Sequence, residues 1–393
     1  TAKKPEFEKR ILKMDKRPSV LIVGMGYGHI YLHEMMNRDT GADLVGVCDT
    51  DPHVAEKQPL LAEHNIPVYR DLQSFYAEKT ADLAIIAAPI QFHTEMTLFC
   101  LARGSNVLCE KPLCLTLEEA NRMLEAEKAA GRFVCVGYQR DYRRDVWALK
   151  QDILDGRYGR PLRLSVVHCY RRGANYYARN NWAGHITVNG REVFDSPFNN
   201  ACAHNFQMLT FLLGEKMDAA CDVTGLEGVL YRGNENVENY DVAALRYTTT
   251  AGAPIYYYTA HPLERDVGPH GVLEFEKGTI TFEGEEPQFT AVMNNGVRID
   301  YTHVDAGPGT QKLYDALDCI KNGGAPICGV QADFAHIRAV RMAQALPIRP
   351  VRPELITHFD ENNDHFTVVR DLGKIFLESA KQWKLPSEAG YEL

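Results

Sequence analysis

Apolar residues in the first 140 positions fall into short unbroken runs, and stretches with helical spacing separate these runs. The runs occupy residues 20–23, 44–48 and 82–89, and the last of these, which is apolar from Leu83 onward, must be covered on both faces. Helical stretches are predicted after them, at residues 29–37 and 91–103. Repeated strand–helix units of this kind predict a doubly wound parallel sheet, so the first domain is expected to be α/β.

After residue 155 the pattern changes to long strands that follow one another directly. They are predicted at residues 162–170, 220–231, 242–250, 255–260, 271–276 and 279–283. Turn signals such as Ala251-Gly252 and Lys277-Gly278 join them, which predicts an α+β domain with a large, mostly antiparallel open sheet. Helices at residues 196–213, 310–321 and 332–345 are expected to cover one face of this sheet.

The other face of the second sheet is expected to carry Tyr256, Tyr257 and Tyr258. A broad open sheet face often forms a subunit interface, so a homodimer or homotetramer through this face is predicted; simple solvent exposure is the alternative. The predicted domain limits are residues 1–18 for a basic arm, 19–140, 141–350 and 351–393.

The C-terminal segment contains the acidic run Asp360-Glu361-Asn362-Asn363-Asp364. Residues 351–366 are predicted to be a solvated loop, because the glycine and the terminal glutamate of a calcium-binding loop are missing. A last helix at residues 367–383 is expected to dock through one apolar stripe. That stripe consists of Val368, Leu372, Ile375, Phe376 and Trp383.

Composition limits the classes of function that fit this chain of 393 residues. The net charge of −9, without a basic block beyond the first twenty residues, argues against a nucleic-acid partner. No stretch approaches the roughly 18 apolar residues of a membrane helix, so no membrane partner is expected. The ten cysteines lie mostly among apolar neighbours, which indicates reduced core residues and a cytoplasmic location; a leader removed earlier remains an alternative.

The first strand ends in glycines at every second position, Gly24, Gly26 and Gly28, and a helix follows. Such glycines let the backbone approach a pyrophosphate, and the helix N-terminus offers free N–H groups to phosphates. The second strand ends at Asp49, whose carboxylate can accept ribose hydroxyls and would repel the 2′-phosphate of NADP. The spacing therefore predicts an NAD site; an ordinary tight turn without ligand is the alternative.

Glu110, Lys111 and Pro112 follow another strand of the predicted parallel sheet, at the edge where α/β sheets bind ligands. A lysine at this edge can reach the nicotinamide ribose and a substrate hydroxyl, and its charge can stabilise a developing alkoxide. A surface turn is the alternative. The segment Ala88-Pro89-Ile90-Gln91-Phe92-His93 upstream favours the functional interpretation.

These segments, together with Gly137-Tyr138-Gln139-Arg140, make the chain resemble the Gfo/Idh/MocA oxidoreductases over roughly residues 19–345. The resemblance implies a Rossmann domain, a second domain with a large open sheet, and oxidation or reduction of sugars or inositols with NAD(P). The family lysine matches Lys111, and the peptide bond before Pro112 is expected to be cis. The implied cofactor-binding residues are Gly24, Gly26, Tyr27, Gly28, Asp49, Ala88, Pro89, His93, Glu110, Lys111 and Tyr138.

The family's catalytic histidine, which usually follows an aspartate by four residues, matches His204. The aspartate position holds Asn200, which can orient an imidazole but supplies no charge, since residues four apart share a helix face. Either a weaker base suffices, or another acid such as Asp195 turns inward, or the chemistry differs; a packed core histidine is the alternative. Ser196 is interpreted as a helix cap.

Residues 171–184 form an unusual loop rich in aromatic, arginine and asparagine side chains. Aromatic rings can pack on the C–H face of a sugar, and arginine and asparagine can bond adjacent hydroxyls. A loop that wraps a partner subunit is the alternative. The predicted substrate-binding residues are Arg140, Tyr176, Asn181, Trp182, Asn200 and His204.

The sequence thus predicts an NAD-dependent enzyme that oxidises a hydroxyl of a sugar, cyclitol or glycoside. Lys111, His204 and Asn200 are the predicted catalytic residues, and Lys111 and His204 are expected to meet over the nicotinamide. The alternatives are a glycosidase that uses NAD transiently and a non-catalytic NAD-dependent sensor. No metal site is predicted, because His29 and His33 lack a third ligand.

Overall fold

Residues 17–285, 288–302 and 309–393 are described by a computed structural model, and they divide into two units. The first unit holds residues 17–114, 118–142 and 309–330. The second holds residues 115–117, 143–285, 288–302 and 331–393. Most of the predicted basic arm, residues 1–16, lies outside the described residues.

The first unit is built on a parallel sheet that has six strands among the described residues, in the order β3-β2-β1-β4-β5-β6. This is the Rossmann order, which reverses between β1 and β4 and opens a ligand crevice at the carboxyl ends of the strands. The strands are β1 Ser19–Val23, β2 Asp43–Cys48, β3 Val68–Tyr69, β4 Leu83–Ile86, β5 Asn106–Cys109 and β6 Val134–Val136. The helices between them are α1 Met25–Asn37, α2 Val54–Lys57, α3 Pro59–Glu63, α4 Leu72–Glu78, α5 His93–Ala102 and α6 Leu117–Ala130. The predicted doubly wound parallel sheet is confirmed.

The second unit contains a mixed sheet with nine strands among the described residues, in the order β16-β15-β14-β13-β7-β12-β11-β10-β17. Neighbouring strands are antiparallel except β7 with β12 and β10 with β17, so the prediction of a mostly antiparallel sheet is confirmed. The strands from β7 onward are β7 Pro161–Cys169, β8 Thr187–Val188, β9 Arg191–Glu192, β10 Val223–Arg232, β11 Val242–Thr249, β12 Ile255–Ala260, β13 Val267–Phe275, β14 Gly278–Glu283, β15 Phe289–Met293, β16 Arg298–Tyr301, β17 Ile348–Pro350, β18 Ile356–Glu361 and β19 Asp364–Val369.

The helices that follow α6 do not all pack where the sequence placed them. They are α7 Arg144–Leu154, α8 Ala174–Ala178, α9 Ala203–Leu212, α10 Gln311–Asn322, α11 Phe334–Gln344 and α12 Leu372–Lys381. Helix α10 was expected on the second sheet, and this is wrong. Its buried residues Leu313, Ala316 and Leu317 join the core of the first unit, beside Leu32 of α1. The chain therefore returns to the Rossmann sheet after it has built most of the second sheet.

The three tyrosines of β12 do not share one face, because side chains alternate along a strand. Tyr257 packs on Phe198 and Phe206 at one face, whereas Tyr256 contacts Trp383 and Tyr258 contacts Phe376 at the other. The chain's own C-terminal segment therefore covers this part of the outer face. The expectation of an open tyrosine face here is wrong.

The predicted acidic loop is also corrected, because β18 and β19 form an antiparallel hairpin across residues 356–369. Val368 belongs to β19 rather than to the last helix, which begins at Leu372. Leu372, Ile375 and Phe376 are buried in the core of the second unit, so the predicted docking of the helix is confirmed.

The cysteines and helices agree with two further expectations. All ten cysteines are free, and all except Cys319 are buried, as predicted for reduced core residues. No helix within the described ranges is both long and apolar enough to cross a membrane.

Candidate functional site

Two of the three glycines after β1 occupy positions where a side chain would collide with a neighbour, and the third faces open space. Gly24 has a φ of +87°, and a Cβ there would lie 2.9 Å from the backbone of Ala87 and Ala88. A Cβ on Gly28 would lie 2.8 Å from Ile22 of β1, so glycine allows α1 to pack closely on the strand. A Cβ on Gly26 would have no atom within 4 Å. Gly26 thus leaves open space beside the turn, as a backbone that approaches a phosphate requires.

The N-terminus of α1 is suited to bind an anion. Its N-cap, Gly24, makes no side-chain cap, and the first turn contains no acidic residue. The Asp49 carboxylate lies at this helix end: it accepts the N–H of Met25 at 2.7 Å and the N–H of Asp51 at 2.8 Å. A carboxylate offers about four acceptor positions, so Asp49 keeps capacity for ribose hydroxyls. The turn, the helix end and Asp49 therefore fit a dinucleotide.

The Glu-Lys-Pro segment follows β5 at the carboxyl edge of the sheet. The Lys111–Pro112 peptide bond is cis, as expected, and Lys111 is half-buried. Glu110 is buried, and its carboxylate accepts bonds from the Tyr31 hydroxyl and from Lys312 Nζ, the latter at 2.5 Å. A Cβ on Gly137 would lie 2.7 Å from this carboxylate, so β6 can end here only with glycine.

Lys312 on α10 is the site residue that the sequence analysis missed. It is 0 % exposed, and its Nζ donates to Glu110 and to the Gly137 carbonyl oxygen, at 3.0 Å. Burial lowers the pKa of Lys312, but the nearby Glu110 charge raises it, and the net pKa is raised, which favours the charged form of Lys312. A usable signal existed, since Lys312 lies four residues before the buried Ala316 on the apolar face of α10.

His93 connects two loops at the carboxyl edge and is almost fully buried. Its Nδ1 lies 2.9 Å from the Pro112 carbonyl oxygen, and its Nε2 lies 2.7 Å from that of Ala88. Burial lowers the pKa of His93. These bonds let His93 position both loops, and its predicted contact with the cofactor stays a prediction. Tyr138 and Arg140 are buried as well, while Pro89 and Tyr27 are exposed beside the turn.

The segment that carries His204 is less regular than a single helix. The Ser196 hydroxyl caps it by accepting the Asn199 N–H at 3.1 Å, as predicted. Residues Pro197–Ala201 form a π-helical turn, and α9 begins only at Ala203. Asn200 therefore lies within the π-helical turn, whereas His204 lies in the first turn of α9. The expectation that they share one regular helix face is wrong.

Asp195 is buried and lies beside Asn200. Its Oδ1 accepts the Asn200 side-chain amide at 2.7 Å, and its Oδ2 accepts the Gly184 N–H at 2.6 Å. Position 200 carries no acid, but the side chain to which Asn200 donates, Asp195, carries a carboxylate. The sequence left this alternative open, and the bond identifies Asp195 as the candidate acid.

Tyr176 and Trp182 of the predicted substrate loop are brought together around Arg179. The Arg179 guanidinium lies 3.5 Å from the ring centre of Tyr176 and 5.2 Å from that of Trp182. Tyr177 lies beneath, with its hydroxyl 2.8 Å from His261 Nδ1. Asn181 is exposed at the end of the loop.

The C-terminal hairpin holds this loop. Asp364 accepts the Asn175 N–H at 2.8 Å, at the start of α8, and the Asn175 side chain donates to the Asn363 carbonyl oxygen at 3.1 Å. Glu361 pairs with Arg171 at 2.5 Å. The acidic run is mostly exposed, as predicted, but it also anchors the predicted substrate loop.

Lys111 belongs to the first unit and His204 to the second. Their predicted meeting over a nicotinamide ring stays a prediction.

Comparisons with known proteins agree with these features. Residues 19–138 match the model of the Gfo/Idh/MocA oxidoreductase family, described as an NAD-binding Rossmann fold. The chain is 30% identical over 196 residues to an inositol 2-dehydrogenase of Burkholderia multivorans, which covers 49% of this chain and 54% of that protein. It is 32% identical over 200 residues to inositol 2-dehydrogenase 4 of Saccharopolyspora erythraea, covering 50% and 54%. The chain thus spans about half the length of the curated relatives it matches.

Solved structures share the fold over a longer stretch. The WlbA dehydrogenase of Bordetella pertussis, in complex with NADH and UDP-GlcNAcA, has a TM-score of 0.69 at 21% identity, covering 84% of this chain and 99% of that one. The aldose-aldose oxidoreductase of Caulobacter crescentus, complexed with glycerol, has a TM-score of 0.67 at 17% identity, covering 84% and 98%. With its glycine turn, its Glu-Lys-Pro segment and the family model that matches residues 19–138, the chain is similar to the Gfo/Idh/MocA oxidoreductases over its NAD-binding Rossmann domain.

Proposed function

We propose that this protein is an NAD-dependent dehydrogenase that oxidises a secondary hydroxyl of a sugar or cyclitol. The observation that carries the proposal is Lys111, a half-buried lysine at the carboxyl edge of a Rossmann sheet, whose neighbour Glu110 is fixed by Lys312 and Tyr31. The glycine turn and Asp49 supply a dinucleotide site in the same unit. The inositol 2-dehydrogenases among the relatives support the substrate class.

The bound NAD supplies the hydride acceptor of this reaction. The Lys111 ammonium donates a hydrogen bond to the substrate oxygen and stabilises negative charge that develops there. An imidazole nitrogen of His204 takes the hydroxyl proton, a task that suits a pKa near neutrality. Asn200 orients this imidazole, and Asp195, bonded to Asn200 at 2.7 Å, supplies the nearby negative charge.

The proposal is tested with purified protein, NAD and a panel that contains myo-inositol, glucose, galactose and their methyl glycosides. We expect NADH absorbance to rise with at least one compound. Replacement of His204 by Asn should lower that rate about 100-fold or more, the typical contribution of a general base. His358→Asn, an exposed histidine of the same unit, is the matched control. Sugar release from a glycoside without net NADH would favour the glycosidase alternative instead.

Preference for NAD over NADP is expected to depend on Asp49. The wild-type protein should bind NAD at least about tenfold more tightly than NADP. The Asp49 carboxylate can accept hydrogen bonds from the ribose hydroxyls of NAD, but it repels the 2′-phosphate of NADP. Asp49→Asn should reduce the ratio of the two affinities, measured by fluorescence titration. Asp51→Asn, which changes the acid that pairs with Lys57, should leave the ratio unchanged. Equal affinity of the wild type for both cofactors would contradict this role of Asp49.

A second copy of the chain would have to use a smaller part of the outer sheet face than the sequence suggested. Helix α12 and Trp383 cover β12 at Tyr256 and Tyr258. The exposed Thr281 and Val292 lie on β14 and β15 of the same sheet. The proposed homo-oligomer therefore pairs through β13–β16.

We also propose that the protein acts in the cytoplasm.

A further inference from the structure

Two arginines of the substrate loop lack a carboxylate partner. Arg172 bonds the Arg171 carbonyl oxygen at 3.3 Å, and Arg179 bonds that of Tyr176 at 2.6 Å. Within residues 17–285, 288–302 and 309–393, neither guanidinium forms an ion pair. Each can donate five N–H bonds, so most of their donors remain available.

Both guanidiniums lie against the Tyr176 ring, Arg172 at 4.9 Å and Arg179 at 3.5 Å from its centre. A guanidinium that packs on a ring uses its flat face for that contact, so its in-plane N–H groups can still form bidentate bonds to an oxyanion. The Tyr176 ring therefore brings two guanidinium groups close together. We refer to Arg172, Tyr176 and Arg179 as the patch.

Polar atoms next to this patch lack partners inside the described part of the protein. His261 is 2 % exposed, its ring centre lies 5.3 Å from that of Tyr176, and its Nε2 has no hydrogen-bond partner there. The buried Nε of Arg172 likewise has none. A buried polar group without a partner is costly, so these atoms indicate a ligand position rather than a packed core.

Acidic residues near the patch are engaged elsewhere. Arg171, the neighbour of Arg172, pairs with Glu361, and Asp195 bonds Gly184 and Asn200. Glu285 accepts the Tyr170 hydroxyl at 2.5 Å. Burial, followed by the charges of Arg172 and Arg179, lowers the pKa of His261 well below its ordinary value, which agrees with a positive local field.

We propose that the patch of Arg172, Tyr176 and Arg179 binds an anionic group of the substrate, a carboxylate or a phosphate on a sugar or cyclitol. This inference rests on the proposed function and deepens it, since it names the substrate class. Two arginine forks recognise both oxyanions by the same bidentate geometry, and Tyr176 offers its remaining ring surface to the sugar.

The test compares each neutral compound with an anion built on the same ring, by isothermal titration calorimetry of the NAD-bound protein. The carboxylate arm sets glucuronate against glucose and galacturonate against galactose. The phosphate arm sets glucose 6-phosphate against glucose and inositol 1-phosphate against myo-inositol. At least one anion should bind about tenfold or more tightly than its neutral parent, as charge-assisted bonds predict.

The double variant Arg172→Gln/Arg179→Gln should remove this difference. Arg370→Gln, which changes an exposed arginine whose side chain donates to the Glu354 carbonyl oxygen, should keep it. The inference is overturned if no anion exceeds its neutral parent, or if the difference persists in the double variant.

Calorimetry separates this inference from the proposed dehydrogenase activity. Arginine-dependent binding of an anion without NAD reduction would reject the activity and keep the anion site. Oxidation of neutral sugars without any preference for anions would keep the dehydrogenase activity and reject the anion site.

Discussion

Replacing Lys111 by Ala is expected to lower kcat by about 100- to 1000-fold, the usual loss when one donor to a developing oxyanion is removed. Lys111 is half-buried at the end of β5, and the bonds of Glu110 to Lys312 and Tyr31 fix the preceding residue. We expect the Lys111 side chain to contribute less to the stability of the fold than the bonds of Glu110 do. The dissociation constant of NAD should therefore change much less than kcat, which steady-state kinetics and a fluorescence titration would show.

Two comparisons make the Lys111 prediction specific. Lys128→Ala removes an exposed lysine of α6 in the same unit and should leave kcat unchanged. Lys111→Arg keeps the charge but changes its shape, and it should recover part of the lost rate. Full turnover in Lys111→Ala, with the best substrate of the panel, would reject the role of Lys111 in charge stabilisation.

Replacing Lys312 by Met is expected to lower the free energy of unfolding by about 3–5 kcal/mol, the typical cost of leaving one member of a buried ion pair alone. The substitution removes the Nζ that donates to Glu110 and to the Gly137 carbonyl oxygen. Because folding raises the pKa of Lys312, its contribution is complete at neutral pH and is lost only as the pH rises through the raised pKa. The stability difference, measured by denaturant unfolding, should therefore be constant across the neutral range.

The double variant Lys312→Met/Glu110→Gln separates the charge from the packing. It leaves no isolated charge, so it should recover a large part of the stability lost in Lys312→Met. Lys321→Met, an exposed lysine at the last turn of the same helix, is the matched control and should cost little. Wild-type stability in Lys312→Met would mean that Glu110 does not need this partner.

The buried Glu110 also explains why the Glu-Lys-Pro segment can serve as a fixed platform. One carboxylate joins α1 through Tyr31, β6 through the close approach of Gly137, and α10 through Lys312. The same elements surround the glycine turn and Lys111. We therefore expect variants of Lys312 that still fold to show reduced kcat as well as reduced stability.

Local sequence patterns were sufficient to predict features that depend only on residues close together along the chain. The glycine turn and the cap at Ser196 were predicted from short motifs, whereas the cis peptide before Pro112 was implied by the family resemblance; the structure contains all three. Glycine spacing and a serine before a helix each restrict the backbone within a few residues. Long apolar runs predicted the strands of the first sheet for the same reason, since burial on both faces needs an unbroken apolar sequence.

Predictions that required knowledge of a distant partner were incomplete or wrong. The sequence assigned α10 to the second sheet, because helical periodicity shows that a face is buried and not what covers it. It also placed three consecutive tyrosines of β12 on one face and interpreted the acidic run of residues 360–364 as a solvated loop. The structure shows that this run lies in a hairpin, where Asp364 and Glu361 bond Asn175 and Arg171.

By itself, the sequence determined the two kinds of sheet and the dinucleotide turn with its similarity to the Gfo/Idh/MocA oxidoreductases, because these features are encoded by neighbours along the chain. Only the tertiary structure decided that Lys312 pairs with Glu110, that Asp195 bonds Asn200, and that the C-terminal hairpin anchors the substrate loop. Charged side chains select partners by distance in space, and burial makes those partners obligatory. No periodicity along the chain carries that information.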